Sequence, residues 1–195
     1  ALKTMPPALH ALCGSDKTDG FLCPGHVAVI TGSDPFARLA ERYEKAMVIG
    51  GFARSELLRA MTRLVLVAGC KKTGLWNEYA TVVKPEGNLL AQQAMDEVFE
   101  AGSATWRGLG SLPGSGLYIR EEYGAWDAGS RGLDLDRVPP GCLCNRIILG
   151  DALPQQCPFF GKKCTPQHPV GACMVSSEGS CCITWREGRA GAREE

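Results

Sequence analysis

Seven of the ten cysteines in this 195-residue chain crowd toward its end, as Cys142, Cys144, Cys157, Cys164, Cys173, Cys181 and Cys182. The same stretch is interrupted by Gly141, Pro154, Pro158, Gly161, Pro166, Pro169, Gly171 and Gly179. Glycine and proline at that density break helices and strands alike, so no element there is long enough to bury an ordinary apolar face. Something other than a core must hold the segment together. Cysteine offers three means: an iron–sulfur cluster, a zinc ion or disulfides.

Spacing ranks the three. Disulfides belong to oxidising compartments, and seven thiols are an odd number for a closed framework. Zinc commonly takes two CxxC-like pairs, whereas the close spacings here are Cys142/Cys144 and the adjacent Cys181/Cys182. A cubane tolerates irregular spacing, because a loop wraps a larger object and thiolates are its normal ligands. Spacing therefore favours a cluster over zinc, and places disulfides last.

The remainder of the chain reads as an ordinary α/β domain. With 45% hydrophobic residues, the length suffices for one core and a small satellite module. Met5 to Cys13 has a helical pattern that Gly14 closes, and the run from Gly20 to Gly32 suggests a strand leading through Pro24-Gly25 into a loop. Pro35 to Tyr43 reads as a short helix and Ala46 to Ile49 as a buried strand. Ser55 is placed to cap a helix marked by Leu57, Leu58, Met61, Leu64 and Val65, and Asn88 to cap another carrying Leu90, Ala94, Val98 and Phe99. Alternating strands and helices predict a layered, mostly parallel sheet. Between Gly102 and Pro140 no period is sustained, and a structured connector is expected. The expected division is an α/β domain over 1–138, a cysteine-rich module over 139–186 and a flexible tail over 187–195.

Charge excludes some functions. The 21 basic and 21 acidic residues cancel and form no long run of one sign, so there is no electrostatic case for nucleic acid. No window approaches the roughly 20 apolar residues of a spanning helix, and the start lacks a basic segment followed by an apolar one. A cytoplasmic chain with no membrane partner is the expectation. Because it starts at Ala1, it is also expected to be part of a longer protein.

Several long motifs then carry a resemblance. They are Phe21 to Val27 (FLCPGHV), Gly87 to Ala94 (GNLLAQQA), Val98 to Glu100 ahead of Trp106 to Gly110 (WRGLG), Cys144 to Gly150 (CNRIILG), Pro154 to Gly161 (PQQCPFFG), Cys164 to Ala172 (CTPQHPVGA) and Met174 to Cys181 (MVSSEGSC). Together they resemble the second α/β domain and C-terminal module of the hydrogenase maturation factor HypD family. The resemblance implies a scaffold and redox role in building the Fe(CN)2(CO) group of [NiFe]-hydrogenase, as an accessory assembly factor more than a turnover enzyme. It also implies a HypC-type chaperone and a HypE-type cyanide donor as partners. A [4Fe-4S] cluster is implied, with Cys144, Cys157, Cys164 and Cys181 as ligands and Cys173 as the alternative fourth. On the same ground His26 either orients a group that binds the iron or handles protons in the cleft where the iron is handled, and Arg107 lines that cleft. Without the resemblance, His26 reads as a structural hydrogen-bonding group and the Trp106–Gly110 turn as a buried-Trp turn.

The sequence also departs from the family pattern. It has no CGGHTH-like iron anchor, no CPVC-like dithiol and no GFETT-like segment. Ala28 replaces the usual Ser, Ala53-Arg54 replaces the Glu-Pro of GFEP, Thr81 replaces an Arg, and Ile183-Thr184-Trp185 replaces an aromatic pair. A divergent or truncated version of the family is expected, with a stand-alone iron–sulfur electron-transfer module or a zinc-stabilised interaction domain as alternatives.

Overall fold

In the computed structural model, which describes residues 2–129 and 138–190, the chain forms two units. The first comprises 1–102 with 113–130, and the second 103–112 with 131–195. The residues expected to form a tail lie, from 191 onward, outside the described residues.

The first unit opens with a two-residue strand β1 (Leu2–Lys3) and helix α1 (Met5–Leu12). Pro6 and Pro7 sit in the first turn of α1, where backbone N–H groups lack intrahelical partners in any case. Strand β2 (Gly20–Pro24) then leads into helix α2 (Gly25–Thr31), followed by α3 (Asp34–Arg42), β3 (Ala46–Gly50), α4 (Arg54–Gly69), β4 (Gly74–Asn77) and α5 (Leu89–Val98). Strand β3 pairs in parallel with β2 on one side and β4 on the other. It is buried along its whole length, as befits the centre of a parallel sheet covered on both faces. Its side chains alternate between layers. Met47 and Ile49 join Leu9, Phe36, Ala40 and Val83 on one face, while Ala46 and Val48 meet Ala60 and Val67 of α4 on the other.

Three local expectations differ from this structure. The segment after Pro24 is a helix, although Val27, Val29, Ile30 and Thr31 are poor helix formers. Tertiary packing overrides propensity: Ala28 is fully buried, and Val27 and Val29 pack on the same core. Gly25 permits the close approach, since a Cβ there would stand 2.4 Å from the Gly50 carbonyl oxygen. Helix α4 begins before Ser55, and Glu56 Oε2 accepts the Ala53 N–H at 3.1 Å, as in half of a capping box. The apolar stripe that marks α4 in the sequence is only in part the one it buries, for Leu64 packs on the core with Ala60 and Val67 while Leu58, Met61 and Val65 are exposed. Asn88 caps α5 as expected, its Oδ1 accepting from the Ala91 N–H at 3.0 Å.

The expected connector contains the two longest strands, β5 (Phe99–Trp106) and β6 (Gly110–Ile119), in a sheet of order β1-β6-β5. Strand β1 runs antiparallel to β6, with Leu2 opposite Leu117. Glycine hides these strands from a periodicity reading, and one of these glycines has a packing use. A Cβ on Gly102 would meet the Tyr118 ring at 2.9 Å, so its absence is what lets that ring lie across the neighbouring strand. No described helix is long and apolar enough to cross a membrane.

The second unit has little regular structure beyond short helices α6 (Cys144–Ile148) and α7 (Ala172–Val175) and the longer α8 (Ser180–Ala190). Its core is built mainly from sulfur. All seven clustered cysteines are buried in it, joined by Ile147, Ala152 and Met174.

Candidate metal centre

The thiols reach the core from several separate pieces of local structure. Cys142 follows the turn at Gly141, whose φ of +86° only glycine adopts readily, and Cys144 opens α6. Cys157 ends the single helical turn Pro154–Gln156, which Gln156 closes by accepting the Leu153 N–H through Oε1 at 2.7 Å. The Cys164 N–H donates to the Phe159 carbonyl at 2.8 Å, closing the loop over Gly161. Cys173 lies in α7, and Cys181 and Cys182 occupy the start of α8. Trp185 of α8 packs edge-on against Phe160, with ring centroids 6.2 Å apart. Ser176 helps hold the loop between α7 and α8, its Oγ accepting the Glu178 N–H at 3.2 Å.

The thiols contact one another and the backbone. Cys173 Sγ lies 3.1 Å from Cys181 Sγ. Cys144 Sγ accepts the Cys173 N–H at 3.3 Å, and Cys164 Sγ accepts the Val170 N–H at 3.3 Å. Cys142 adjoins both Cys157 and Cys144. The four cysteines singled out in the sequence thus share one core with Cys142, Cys173 and Cys182. The sequence reading gave Cys142 no role, although its proximity to Cys157 makes it a donor on the same footing as Cys144.

Burial and mutual proximity raise three of these thiols, Cys142, Cys144 and Cys173, and favour their protonated form. Burial pushes the Cys142 thiol up, with a counteracting backbone N–H. Cys144 is raised first by its hydrogen bond with the Cys173 side chain and then by burial. For Cys173 the bond with Cys144 acts downward, but Cys181 and burial outweigh it and push the thiol up to about 12. A metal that binds here must displace those protons.

Glycine makes room for the sulfurs. A Cβ on Gly171 would stand 2.8 Å from Cys142 Sγ, 3.0 Å from Cys144 Cβ and 3.4 Å from Cys144 Sγ. A Cβ on Gly179 would stand 2.3 Å from the Cys173 carbonyl oxygen. These positions form a cradle that any side chain would fill, and the sequence signals them only as glycines lying between cysteines. Among the described residues, no three His, Cys, Asp or Glu side chains converge as ligands of a single metal ion. A cubane makes a different demand, one thiolate for each of four irons, and an all-sulfur donor set around a glycine cradle fits it.

The other two residues singled out in the sequence stand in different settings. Arg107 is exposed, in the β5–β6 turn that belongs to the second unit. His26 belongs to the first unit, in the first turn of α2, where it is exposed and its ring lies 5.1 Å from that of Phe52. The second unit thus holds Arg107 together with the cysteines, while His26 sits at the C-terminal end of the parallel sheet.

Comparison with known proteins adds relatives to this geometry. The HypD family model, described as the hydrogenase formation hypA family, matches residues 1–188. A hydrogenase expression/formation protein of Methanocaldococcus jannaschii is 40% identical over 186 residues, covering 93% of this chain and 52% of the relative. Hydrogenase maturation factors of the HypD type from Bradyrhizobium diazoefficiens and Rhodobacter capsulatus are each 38% identical, over 92% and 98% of this chain and 50% and 53% of their own lengths. The chain spans about half the length of the curated relatives it matches. With a match of that extent running through both the α/β unit and the buried thiol core, the chain belongs to the HypD family of hydrogenase maturation proteins.

Proposed function

We propose that this chain supplies the cluster-bearing part of a cytoplasmic [NiFe]-hydrogenase maturation scaffold, on which the Fe(CN)2(CO) group is assembled as cargo. The observation that carries this reading is the seven-thiol buried core within a chain matched to the family over residues 1–188. Cys144, Cys157, Cys164 and Cys181 would hold a [4Fe-4S] cluster, with Cys173 and Cys142 as the nearest rival donors. When bound, such a cluster supplies single electrons at a potential set by burial and by hydrogen bonds to sulfur.

The chain's own groups support that use. The Cys173 N–H donates to Cys144 sulfur and acts to lower that thiol, and the Val170 N–H donates to Cys164 sulfur. Leu143, Ile148, Phe159, Phe160 and Trp185 pack around the core and exclude water from it. In the complete assembly, a HypC-type chaperone and a HypE-type cyanide donor would be the partners, with His26 handling protons and Arg107 lining the iron-handling cleft.

Anaerobic purification tests the reading, with iron, acid-labile sulfide and zinc measured on one sample and visible spectra taken before and after dithionite. About four irons and four sulfides per chain, with a band that bleaches on reduction, is the expected result. One zinc without sulfide would refute the cluster. The scaffold role is tested separately, by restoring hydrogenase activity in a strain that lacks its own HypD, with the chain supplied alone or beside the unmatched half of a relative.

A further inference from the structure

Two glycines in the turn between β5 and β6 share a backbone geometry and differ in what surrounds them. Gly108 has φ +85° and Gly110 φ +77°, a region where any side chain is strained. A Cβ on Gly110 would meet nothing within 4 Å. One on Gly108 would stand 2.6 Å from Ile148 Cδ1 and 3.5 Å from Cys144 Sγ. Gly108 is buried, Ile148 is half-buried, and Cys144 is 1% exposed. The Gly108 backbone therefore lies directly on the thiol and on the α6 side chain beside it. Left-handed geometry alone would explain a glycine at either position, but only Gly108 needs the missing side chain for contact as well.

We infer that the turn 106–110 is the cover of Cys144, and that Gly108 is the positioning residue that seats it. The turn holds the thiol's orientation against α6 and closes its path to solvent and to oxidants or alkylating agents. Glycine is required because a β carbon would push Ile148 aside and lift the turn. The assignment concerns the thiol itself, so it stands or fails independently of which metal the core binds.

The test is alkylation of the full-length, metal-free chain with iodoacetamide under anaerobic, reducing conditions. Tandem mass spectrometry of the tryptic peptide 138–146 separates Cys144 from Cys142. Exposed Cys70 gives the unprotected rate, while buried Cys164 and Cys182 report whether the whole unit has opened. Gly108→Ala is expected to raise the Cys144 rate by about tenfold, with Cys164 and Cys182 little changed, and Gly110→Ala to leave Cys144 near the parent rate. Ile148→Val removes the Cδ1 atom that the new Cβ would strike, so Gly108→Ala combined with Ile148→Val is expected to restore most of the protection. Equal effects of the two glycine variants, or no rescue by Ile148→Val, would overturn the assignment, because strain rather than contact would then be responsible. If Gly108→Ala does not accumulate as folded protein, Ile148→Ala trims the same contact from the opposite side. Faster labelling of Cys144 alone supports the cover, and an unchanged rate refutes it.

Discussion

Gly171→Ala isolates how tightly the sulfur core is packed. Gly171 has φ −101°, which alanine adopts without strain, so the substitution acts through space alone. Its Cβ would stand 2.8 Å from Cys142 Sγ and 3.0 Å from Cys144 Cβ, both closer than ordinary contact. Cys142 Sγ can rotate away, but only by leaving Cys157, while Cys144 Cβ is fixed by the start of α6. Overpacking of this kind costs about 1–3 kcal/mol, and the smaller conformational freedom of the unfolded alanine chain offsets about 0.4–1 kcal/mol. The steric term wins, and a net loss of about 1–2 kcal/mol is expected, a urea midpoint shift of roughly 1 M. Pulse alkylation along a urea titration reads the two units separately. Cys13 and Cys23 report the first, and the buried cysteines from Cys142 onward report the second. Gly188→Ala is the control: a Cβ there meets nothing within 4 Å inside α8, so the same chemical change should stabilise the second unit by about 0.5–1 kcal/mol. If Gly171→Ala matches the parent midpoint in the second unit, or shifts only the first, the cradle argument fails.

Cys157→Ala or Cys164→Ala is expected to abolish metal uptake and Cys70→Ala to leave it intact, as measured by iron and sulfide content after anaerobic reconstitution; equal losses in all three would refute the ligand assignment. The same measurement on Cys142→Ala and Cys144→Ala ranks those two as donors, the ligand being the one whose loss lowers iron content. Because the Cys142, Cys144 and Cys173 thiols are all raised, protons compete with the metal, and reconstitution yield should climb with pH above neutrality, where an unchanged yield would count against protonated thiols in the metal-free core. Burial raises Cys13 to about 11 and Cys23 to about 12 from an ordinary 9.0, so the stability they lend is full below about pH 9 and is lost as pH climbs through 11 to 12. The Cys13 and Cys23 labelling midpoint in urea should therefore fall between pH 8 and pH 11, and Cys23→Ala should reduce that fall, read from Cys13. Ile49→Ala, at a fully buried position, should cost about 2–5 kcal/mol in the first unit, whereas Leu58→Ser and Val65→Ser, at positions 66% and 72% exposed, should each stay within about 0.5 kcal/mol, all read by urea titration.

What was legible in the sequence is what local chemistry announces. Ala46 to Ile49 reads as a buried strand because an unbroken apolar run needs cover on both faces, and Asn88 reads as a cap because its side chain bonds within its own first turn. The cysteine module was legible for the same reason, as density within one segment. Where pairing between distant segments decides the structure, the reading failed. Helix α2 forms against the propensity of its β-branched residues because its own Ala28 is fully buried and Val27 and Val29 pack on the same core. Strands β5 and β6 carry glycines where periodicity needs side chains, and one of those glycines is there for the Tyr118 ring on the neighbouring strand.

The same distinction explains why seven thiols did not resolve into four ligands. Spacing records how far apart cysteines lie along the chain, but ligation depends on which sulfurs face a common space. That space is set by Gly108, Gly171 and Gly179, which carry no side chain to be recognised. Gly171 abuts Cys142 and Cys144 together, so those two sulfurs compete for one side of the cradle, while Cys173 lies between Cys144 and Cys181 and contacts both. A core with more donors than a cubane needs can hold the cluster and still leave thiols beside it. In the proposed cluster the choice among Cys142, Cys144 and Cys173 would be made by where the backbone comes closest, and substitution at the glycines should redistribute it as surely as substitution at the cysteines.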